Sequence, residues 1–161
     1  MKNRIILGID PGIADTGYGL IEVTSSNLKY ISCGTIKTDS KLELADRLLI
    51  LHKDLLKIIN KYKPNLVAVE ALFFNKNVKT ALIVGQARGV TLLAIKQKKL
   101  NTITLTPSQV KQAVTAYGQA PKEQVQIMVQ KILKLKSLPR PDDAADALAT
   151  AIGAASINYV K

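Results

Sequence analysis

Five carboxylates stand directly beside apolar segments of this chain, where the neighbouring residues give no structural reason for a charge: Asp10, Glu70, Asp142, Asp143 and Asp146. The first closes the apolar run 5–9, the second closes the run 66–69, and the other three open an alanine-rich stretch that reaches Ile157. An ionised group beside apolar segments is costly unless another group compensates its charge. Three such sets, in a chain otherwise short of acid, predict oxygen ligands gathered around a cation.

Each of these carboxylates alone has an ordinary structural explanation. Asp10 fits a turn, Glu70 fits a charge at the end of a strand, and the aspartate cluster fits the start of a helix. The combination is more specific, because hard oxygen ligands suit Mg²⁺ or Mn²⁺ and not zinc. Two such ions about 4 Å apart can activate a water and stabilise the leaving oxygen of a phosphodiester. The pattern therefore predicts a metal-dependent nuclease.

Basic residues outnumber acidic ones, 23 against 12, which gives a net charge of +11. Between positions 71 and 122 there is no acidic residue, whereas eight basic ones occur: Lys76, Lys79, Arg88, Lys96, Lys98, Lys99, Lys111 and Lys122. Such a segment attracts polyanions, although a soluble protein can carry a basic surface that binds nothing specific. The charges are scattered and not packed beside one amphipathic helix, which favours nucleic acid over a membrane surface.

The rest of the composition narrows the class of protein. A chain of 161 residues suits a single domain, over 1–161, with a core of its own. Cys33 and His52 are the only cysteine and histidine, which excludes disulfide frameworks, zinc clusters and histidine triads within one chain. No apolar run approaches the roughly 18 residues that span a bilayer, and the N-terminus lacks the features of a signal peptide. We expect a cytoplasmic protein with no membrane partner.

The hydrophobic pattern predicts three strands and then strands that alternate with helices. Strands are expected at 4–9, 18–23, 28–37, 66–70 and 101–105, and helices at 44–62 and 77–96, with three more beginning near Thr106, Pro121 and Pro141. The short connections between the first three strands imply antiparallel neighbours. The whole order fits an α/β fold, with a mixed five-stranded sheet and helices on both faces.

These elements would bring the carboxylates together. Asp10 and Glu70 both end strands, and sites of open α/β sheets form outside the carboxyl ends of the strands. Asp143 and Asp146 are three residues apart, which puts both on one face of the first turn of a helix. That turn also carries the positive end of the helix dipole, which favours anions. If the first and fourth strands are neighbours, all four side chains meet at one edge of the sheet.

Seven short motifs, in order along almost the whole chain, resemble the RuvC family of Holliday junction resolvases. They are GIDPG at 8–12, TGYG at 16–19, Val69-Glu70 with Phe73, GQARGV at 85–90, PSQVK at 107–111, KEQV at 122–125 and DAADALA at 143–149. The resemblance implies a ribonuclease H-like fold and a homodimer that binds a four-way DNA junction and nicks two strands of like polarity at symmetric positions. It also implies Mg²⁺ as the cofactor, two ions per site with Mn²⁺ as a substitute, and a branch-migration helicase as a further partner in recombination and repair.

The resemblance also assigns roles to individual residues. The catalytic carboxylates of the family, which bind the metal, fall on four positions: Asp10, Glu70, Asp143 and Asp146. Lys111 and Lys122 match catalytic lysines near the scissile phosphate, where a cation stabilises developing negative charge. Phe73 matches an aromatic that acts as a wedge or stacking platform at the junction centre. The expected DNA contacts are then Phe73, Phe74, Lys76, Lys79, Arg88, Lys111 and Lys122.

Three glycines need an explanation of their own. Gly85 and Gly89 lie four residues apart in a predicted helix, where a glycine costs about 1 kcal/mol relative to alanine. A close contact with a second helix, such as the dimer interface of the family, would explain both, and so would close packing on the protein's own sheet. Gly118 is expected to be the C-cap of the helix that begins near Thr106.

Two acids leave the ligand set open, and other functions compete. Asp15 could reach the metals or be solvated, and spacing alone does not distinguish Asp142 from Asp143, although the family register selects Asp143. A sugar-kinase or actin-like phosphotransferase also has a first strand that ends in Gly-Ile-Asp, but its two lobes need more than 161 residues. A general ribonuclease H-like nuclease and a junction-binding protein without catalysis are the remaining alternatives.

Overall fold

The computed structural model describes residues 3–25, 27–72 and 78–158. Within these ranges the strands are β1 (Arg4–Asp10), β2 (Asp15–Val23), β3 (Leu28–Lys37), β4 (Leu66–Glu70) and β5 (Asn101–Leu105). The helices are α1 (Leu44–Tyr62), α2 (Val78–Gln97), α3 (Pro107–Thr115), α4 (Lys122–Ile132) and α5 (Asp142–Asn158). The order of the elements along the chain is the predicted one.

The strands form one sheet in the order β3-β2-β1-β4-β5. β2 is antiparallel to β1 and β3, whereas β4 is parallel to β1 and β5. The predicted mixed sheet is therefore confirmed, and the first and fourth strands are neighbours. β2 begins at Asp15 and not at Tyr18 as predicted, because Gly17 does not break the strand but pairs with Asp10 on one side and Thr35 on the other.

The helices cover both faces of the sheet, as predicted. Side chains of a strand alternate between the two faces. In β1, Ile6 belongs to a core that includes residues of α3, α4 and α5, whereas Leu7 and Ile9 belong to a second core with α1 and α2. Both cores are fully buried at their centres, which fixes the register of the sheet against the helices.

Glycines allow α5 to lie unusually close to β1 and β2. A β-carbon built at Gly8 would stand 2.0 Å from the carbonyl oxygen of Ala147, and one at Gly17 would stand 2.0 Å from the carbonyl oxygen of Asp143. A β-carbon at Gly19 would stand 2.6 Å from the backbone nitrogen of Leu148. The facing side of α5 is rich in buried alanine. Small residues on both surfaces therefore bring the helix backbone almost into contact with the strands.

The ends of α3 and α4 differ in part from the sequence expectations. Thr106 is the N-cap of α3, and it forms a capping box with Gln109. The C-cap of α3 is Ala116, which adopts the left-handed conformation with φ 60°, so the assignment of Gly118 as C-cap was wrong. Gly118 lies against Ser108, where a β-carbon would stand 2.7 Å from the hydroxyl oxygen. Because this hydroxyl can rotate away, the contact favours a glycine at position 118 without requiring one.

α2 is long and apolar enough, by length and composition, to cross a membrane, with an 18-residue window of mean hydropathy 1.4. No such segment was expected from the sequence, because Lys79 and Arg88 interrupt the apolar residues of α2. The helix as a whole nevertheless has the length and the mean hydropathy of a membrane span. One side of α2 contributes Ala87, Ala94 and Ile95 to the core shared with α1. The side chain of Leu82, by contrast, is 64% exposed.

Gly85 and Gly89 lie on the open side of α2. A β-carbon built at either position would meet no atom of the described residues within 4 Å. Close packing on the protein's own sheet, one of the two explanations offered for these glycines, is therefore wrong for this part of the chain. Contact with a second helix, the other explanation, stays a prediction.

Candidate active site

Asp10 and Glu70 end two neighbouring parallel strands. The register pairs Ile9 of β1 with Val69 of β4, so the two acids follow side by side at the same edge of the sheet. The negative charge of Glu70 contributes to a raised pKa of Asp10, because the two carboxyl groups are close together.

Asp143 and Asp146 reach the same edge from the first turns of α5. One carboxylate oxygen each of Asp10, Asp143 and Asp146 lie within 4.8 Å of one another. The close approach of the Asp143 backbone to Gly17 makes this possible, because Gly17 is the cross-strand partner of Asp10. The structure thus brings together three of the four carboxylates that the sequence singled out. The fourth, Glu70, ends β4 beside Asp10 and lines a cavity together with Asp146.

Burial and mutual repulsion raise the pKa values of this cluster. Burial, followed by the negative charge of Glu70, raises the pKa of Asp10 to about 8. Burial and the charge of Asp146 raise the pKa of Glu70 to about 7. Burial also raises the pKa of Asp146, although Lys122 opposes this shift. Protons therefore remain on the cluster near neutral pH unless a cation replaces them.

The donor set fits a hard divalent cation. All four side chains offer carboxylate oxygens, and neither a thiol nor an imidazole is among them. The raised pKa values indicate that the negative charges of the cluster are not compensated by the protein. A bound cation would compensate them. Asp10, Asp143 and Asp146 could share one ion. Glu70 stands beside Asp10, where it could bind a second ion or complete the coordination of the first.

Two lysines stand beside the carboxylates. Lys122 Nζ lies 3.0 Å from Oδ2 of Asp146, and the positive charge of Lys111 lowers the pKa of Glu70. Both lysines, with Glu70 and Asp146, line a cavity of about 220 Å³ between the ends of α3, α4 and α5. This arrangement places positive charge at the rim of a negatively charged cluster, where the backbone of a nucleic acid could approach.

Asp142 and Asp15, the two acids for which spacing left a metal-binding role open, lie outside the group of converging oxygens. The carboxylate of Asp142 accepts hydrogen bonds from Gln126 and Arg140 and lies 3.5 Å from Lys122. Asp15 pairs at 3.9 Å with Lys37, its partner across β2 and β3. Among the described residues, the group of converging oxygens contains neither of them.

Two more of the residues that were predicted to bind DNA, Lys79 and Arg88, belong to α2. Arg88 donates a hydrogen bond of 3.2 Å to Thr104 of β5, and its buried Nε has no hydrogen-bond partner among the described residues. Lys79 is exposed in the first turn of α2. Three further predictions fall outside the described residues: Phe73, Phe74 and Lys76.

Two residues that support the site were not predicted from the sequence. Gly17 was quoted only as part of a motif, although its close contact with Asp143 positions the ligand helix. Gln126 was not considered, although its side chain is 5% exposed and donates to Asp142. A sequence signal did exist for Gln126, since an amide between apolar residues on the buried face of α4 needs a partner.

Comparison with known proteins gives one consistent match. A family model described as crossover junction endodeoxyribonuclease RuvC matches residues 6–154. A curated protein of that description from Halothermothrix orenii is 58% identical, over 92% of this chain and 90% of the relative. Another, from Heliobacterium modesticaldum, is 55% identical over 92% of this chain and 91% of the relative.

Solved structures match over nearly the full length. The RuvC structure of Thermus thermophilus superimposes with a TM-score of 0.90 at 34% identity, covering 97% of this chain and 96% of the other. The T. thermophilus protein in complex with a Holliday junction substrate superimposes with a TM-score of 0.93 at 35% identity, covering 98% and 96%. These matches confirm the ribonuclease H-like arrangement of sheet and helices.

Proposed function

The chain belongs to the RuvC family of crossover junction endodeoxyribonucleases, and we propose that it resolves four-way DNA junctions by paired, symmetric nicks. The observation that carries this function is the convergence of Asp10, Glu70, Asp143 and Asp146 at one edge of the sheet. A cluster of this kind beside two lysines suits phosphodiester hydrolysis with divalent cations. The family match favours this nuclease over the phosphotransferase alternative.

The cofactor is proposed to be Mg²⁺, two ions per site, with Mn²⁺ as a substitute. The all-oxygen donor set and the raised pKa values of Asp10 and Glu70 support a hard divalent cation at this place. Bound there, the ions supply the activation of water and the stabilisation of the leaving oxygen. The four carboxylates hold and orient them, and the buried floor of the site keeps the carboxylates in place.

Lys111 and Lys122 are proposed to bind the phosphate that is cut. Both line the cavity next to Glu70 and Asp146, and they project from two different helices, α3 and α4. Positive charge on two sides of a phosphate fixes its position and stabilises the charge that develops during hydrolysis. Lys122 is bound to Asp146 in the structure, so it must exchange this partner when DNA and cations arrive.

The exposed side of α2 is proposed to form a homodimer interface. Exposed apolar residues and the two open glycines recur on it at helical spacing: Val78, Leu82, Gly85, Gly89 and Leu93. Glycines without neighbours let a second helix approach closely. A two-fold dimer presents two identical sites to a junction that has two equivalent strands.

The DNA path is proposed to run across the acid-free segment 71–122. Lys79 lies in the first turn of α2, and the preceding residues Phe73, Phe74 and Lys76 are assigned to the junction centre by the resemblance alone. Arg88 is proposed to contribute through its charge, because its guanidinium already contacts Thr104. Organisation as a single domain over 1–161, a cytoplasmic location and contact with a branch-migration helicase belong to the same proposal.

A comparison of substrates tests the function. Purified protein is incubated with a four-way junction, a linear duplex of the same sequence and an RNA–DNA hybrid, each with Mg²⁺, with Mn²⁺ or with EDTA. We expect paired nicks in opposing arms of the junction, with either cation and not with EDTA. Cleavage of the hybrid at the same rate would support a general ribonuclease H-like nuclease instead. Tight junction binding with no cleavage under any condition would support the non-catalytic alternative.

A further inference from the structure

Asp142 stands next to a metal-ligand candidate but faces a different set of partners. Its Oδ1 accepts hydrogen bonds from Gln126 Nε2 at 3.1 Å and from Arg140 Nη1 at 2.7 Å. Its Oδ2 lies 3.5 Å from Lys122 Nζ. The two oxygens therefore have different partners. Oδ1 fixes the carboxylate to the protein, and Oδ2 contacts the lysine.

Lys122 is shared between two carboxylates of different kinds. Its Nζ lies 3.0 Å from Asp146, which belongs to the converging cluster, and 3.5 Å from Asp142, which does not. A divalent cation in the cluster needs the oxygens of Asp146 and repels the ammonium group. Asp142 keeps its oxygen available in that situation, because no cation in the cluster competes for it.

We propose that Asp142 is a positioning residue, which holds Lys122 at the rim of the cluster when cations have taken Asp146, so that the ammonium group faces the DNA phosphate. This inference rests on the proposed function of the site. A lysine without such an anchor retains the freedom of its four-carbon side chain, whereas Asp142 is itself fixed by Gln126, a side chain that is 5% exposed. Gln126 therefore supports Lys122 indirectly, through Asp142, although both residues belong to α4.

The substitution Asp142→Asn removes the contact with Lys122 and keeps the contacts with Gln126 and Arg140. Asparagine keeps an oxygen that can accept from Gln126 and Arg140, but its amide group cannot accept a hydrogen bond from Lys122. Asp142→Glu retains the charge and is the conservative variant. Glu123→Gln is a matched control. Glu123 is the exposed neighbour of Lys122, and its replacement also removes one negative charge, here from the turn of α4 that carries the lysine.

Zero-length crosslinking with a carbodiimide tests the geometry without any need for activity. This reagent joins an amine to a carboxylate in direct contact, and mass spectrometry identifies the bond. Without divalent cation we expect Lys122 to be joined to both Asp142 and Asp146. With saturating Mn²⁺ alone we expect the bond to Asp146 to be lost and the bond to Asp142 to persist. Loss of the bond to Asp142 in Mn²⁺ would overturn the proposal.

Junction cleavage provides the functional test. At saturating Mg²⁺ we expect Asp142→Asn to lower kcat by about threefold to fivefold, the effect of one lost ion pair between half-exposed side chains. Junction affinity measured in Ca²⁺ should stay within about twofold, because a single contact to one phosphate is a small part of the total. Asp142→Glu should recover most of the rate, and Glu123→Gln should match the wild type. Equal rates for Asp142→Asn and Glu123→Gln would refute the positioning role, whereas a wild-type protein that cleaves no junction would refute the proposed function and leave the crosslinking result valid.

Discussion

The carbonyl oxygen of Asp143 lies directly over Gly17, at a distance that leaves no room for a side chain. A β-carbon at Gly17 would stand 2.0 Å from that oxygen, which belongs to the backbone of α5 and cannot rotate away as a side chain can. Gly17 is also the cross-strand partner of Asp10. One backbone contact thus sets the separation between two of the carboxylates that come from opposite ends of the chain.

Replacing Gly17 by alanine should push α5 away from the sheet. We expect a loss of about 2 to 3 kcal/mol in the free energy of unfolding, as in other overpacked cores, together with weaker Mn²⁺ binding. Gly153→Ala is the matched control, because there the nearest atom is the flexible end of Leu105 at 3.1 Å. Urea denaturation and calorimetric titration with Mn²⁺ measure both effects. Equal stability of the two variants would contradict the account of the close contact.

The stability of the metal-free protein should fall as the pH rises from about 4 to about 8. In the folded state the pKa of Asp10 is raised from 3.8 to about 8, so over this range the folded protein holds a proton that the unfolded chain has lost. Glu70, raised from 4.5 to about 7, acts in the same direction. Urea denaturation in EDTA at several pH values measures the slope. Asp10→Asn should make it shallower, and an unchanged slope would show that Asp10 is not the cause.

Asp10→Asn should abolish cleavage and preserve junction binding. The amide keeps the shape of the side chain but loses one anionic ligand, so we expect cleavage in Mg²⁺ to fall at least about a hundredfold. Affinity for a four-way junction in Ca²⁺ should change little, since the basic surface is intact. Asp15→Asn removes an equal charge from the start of β2, outside the cluster, and should cleave normally. Full activity of Asp10→Asn would refute the assignment of the metal site.

Leu82→Glu should dissociate the proposed dimer. The side chain is 64% exposed on the open side of α2, so the substitution costs little in a monomer but buries a charge in an interface. We expect the dissociation constant of the dimer to rise at least about a hundredfold, measured by light scattering or sedimentation. Ile127→Glu, a similar change at an exposed position of α4, is the control. A dimer that tolerates Leu82→Glu would place the interface elsewhere.

The convergence of the carboxylates was predictable because it depends on local patterns. The apolar run before Asp10, the run before Glu70 and the helix start at Asp143 are each visible within a few residues. The parallel pairing of β1 and β4 then brings them together. Strand ends and helix starts are the features of a fold that sequence periodicity indicates best.

The supporting contacts were not predictable, because they depend on residues far apart in the chain. That Gly118 lies against Ser108, while Ala116 takes the helix cap, follows from packing and from backbone dihedrals that composition does not reveal. The same holds for Asp142 and Asp143, which are adjacent in sequence and face different partners. Only the position of α4 beside α5 decides which of the two contacts Lys122.

The dependence of the site on α5 has a consequence for how the protein is made. Asp10 leaves the ribosome early, but the cluster is incomplete until Asp146 has been synthesised and the helix that carries it has packed onto the glycines of β1 and β2. A nascent or prematurely terminated chain that contains every strand of the described sheet still lacks two of the four proposed metal ligands. Such a product could fold in part without acquiring the ability to nick DNA, so that the nuclease appears only at the last step of its own assembly.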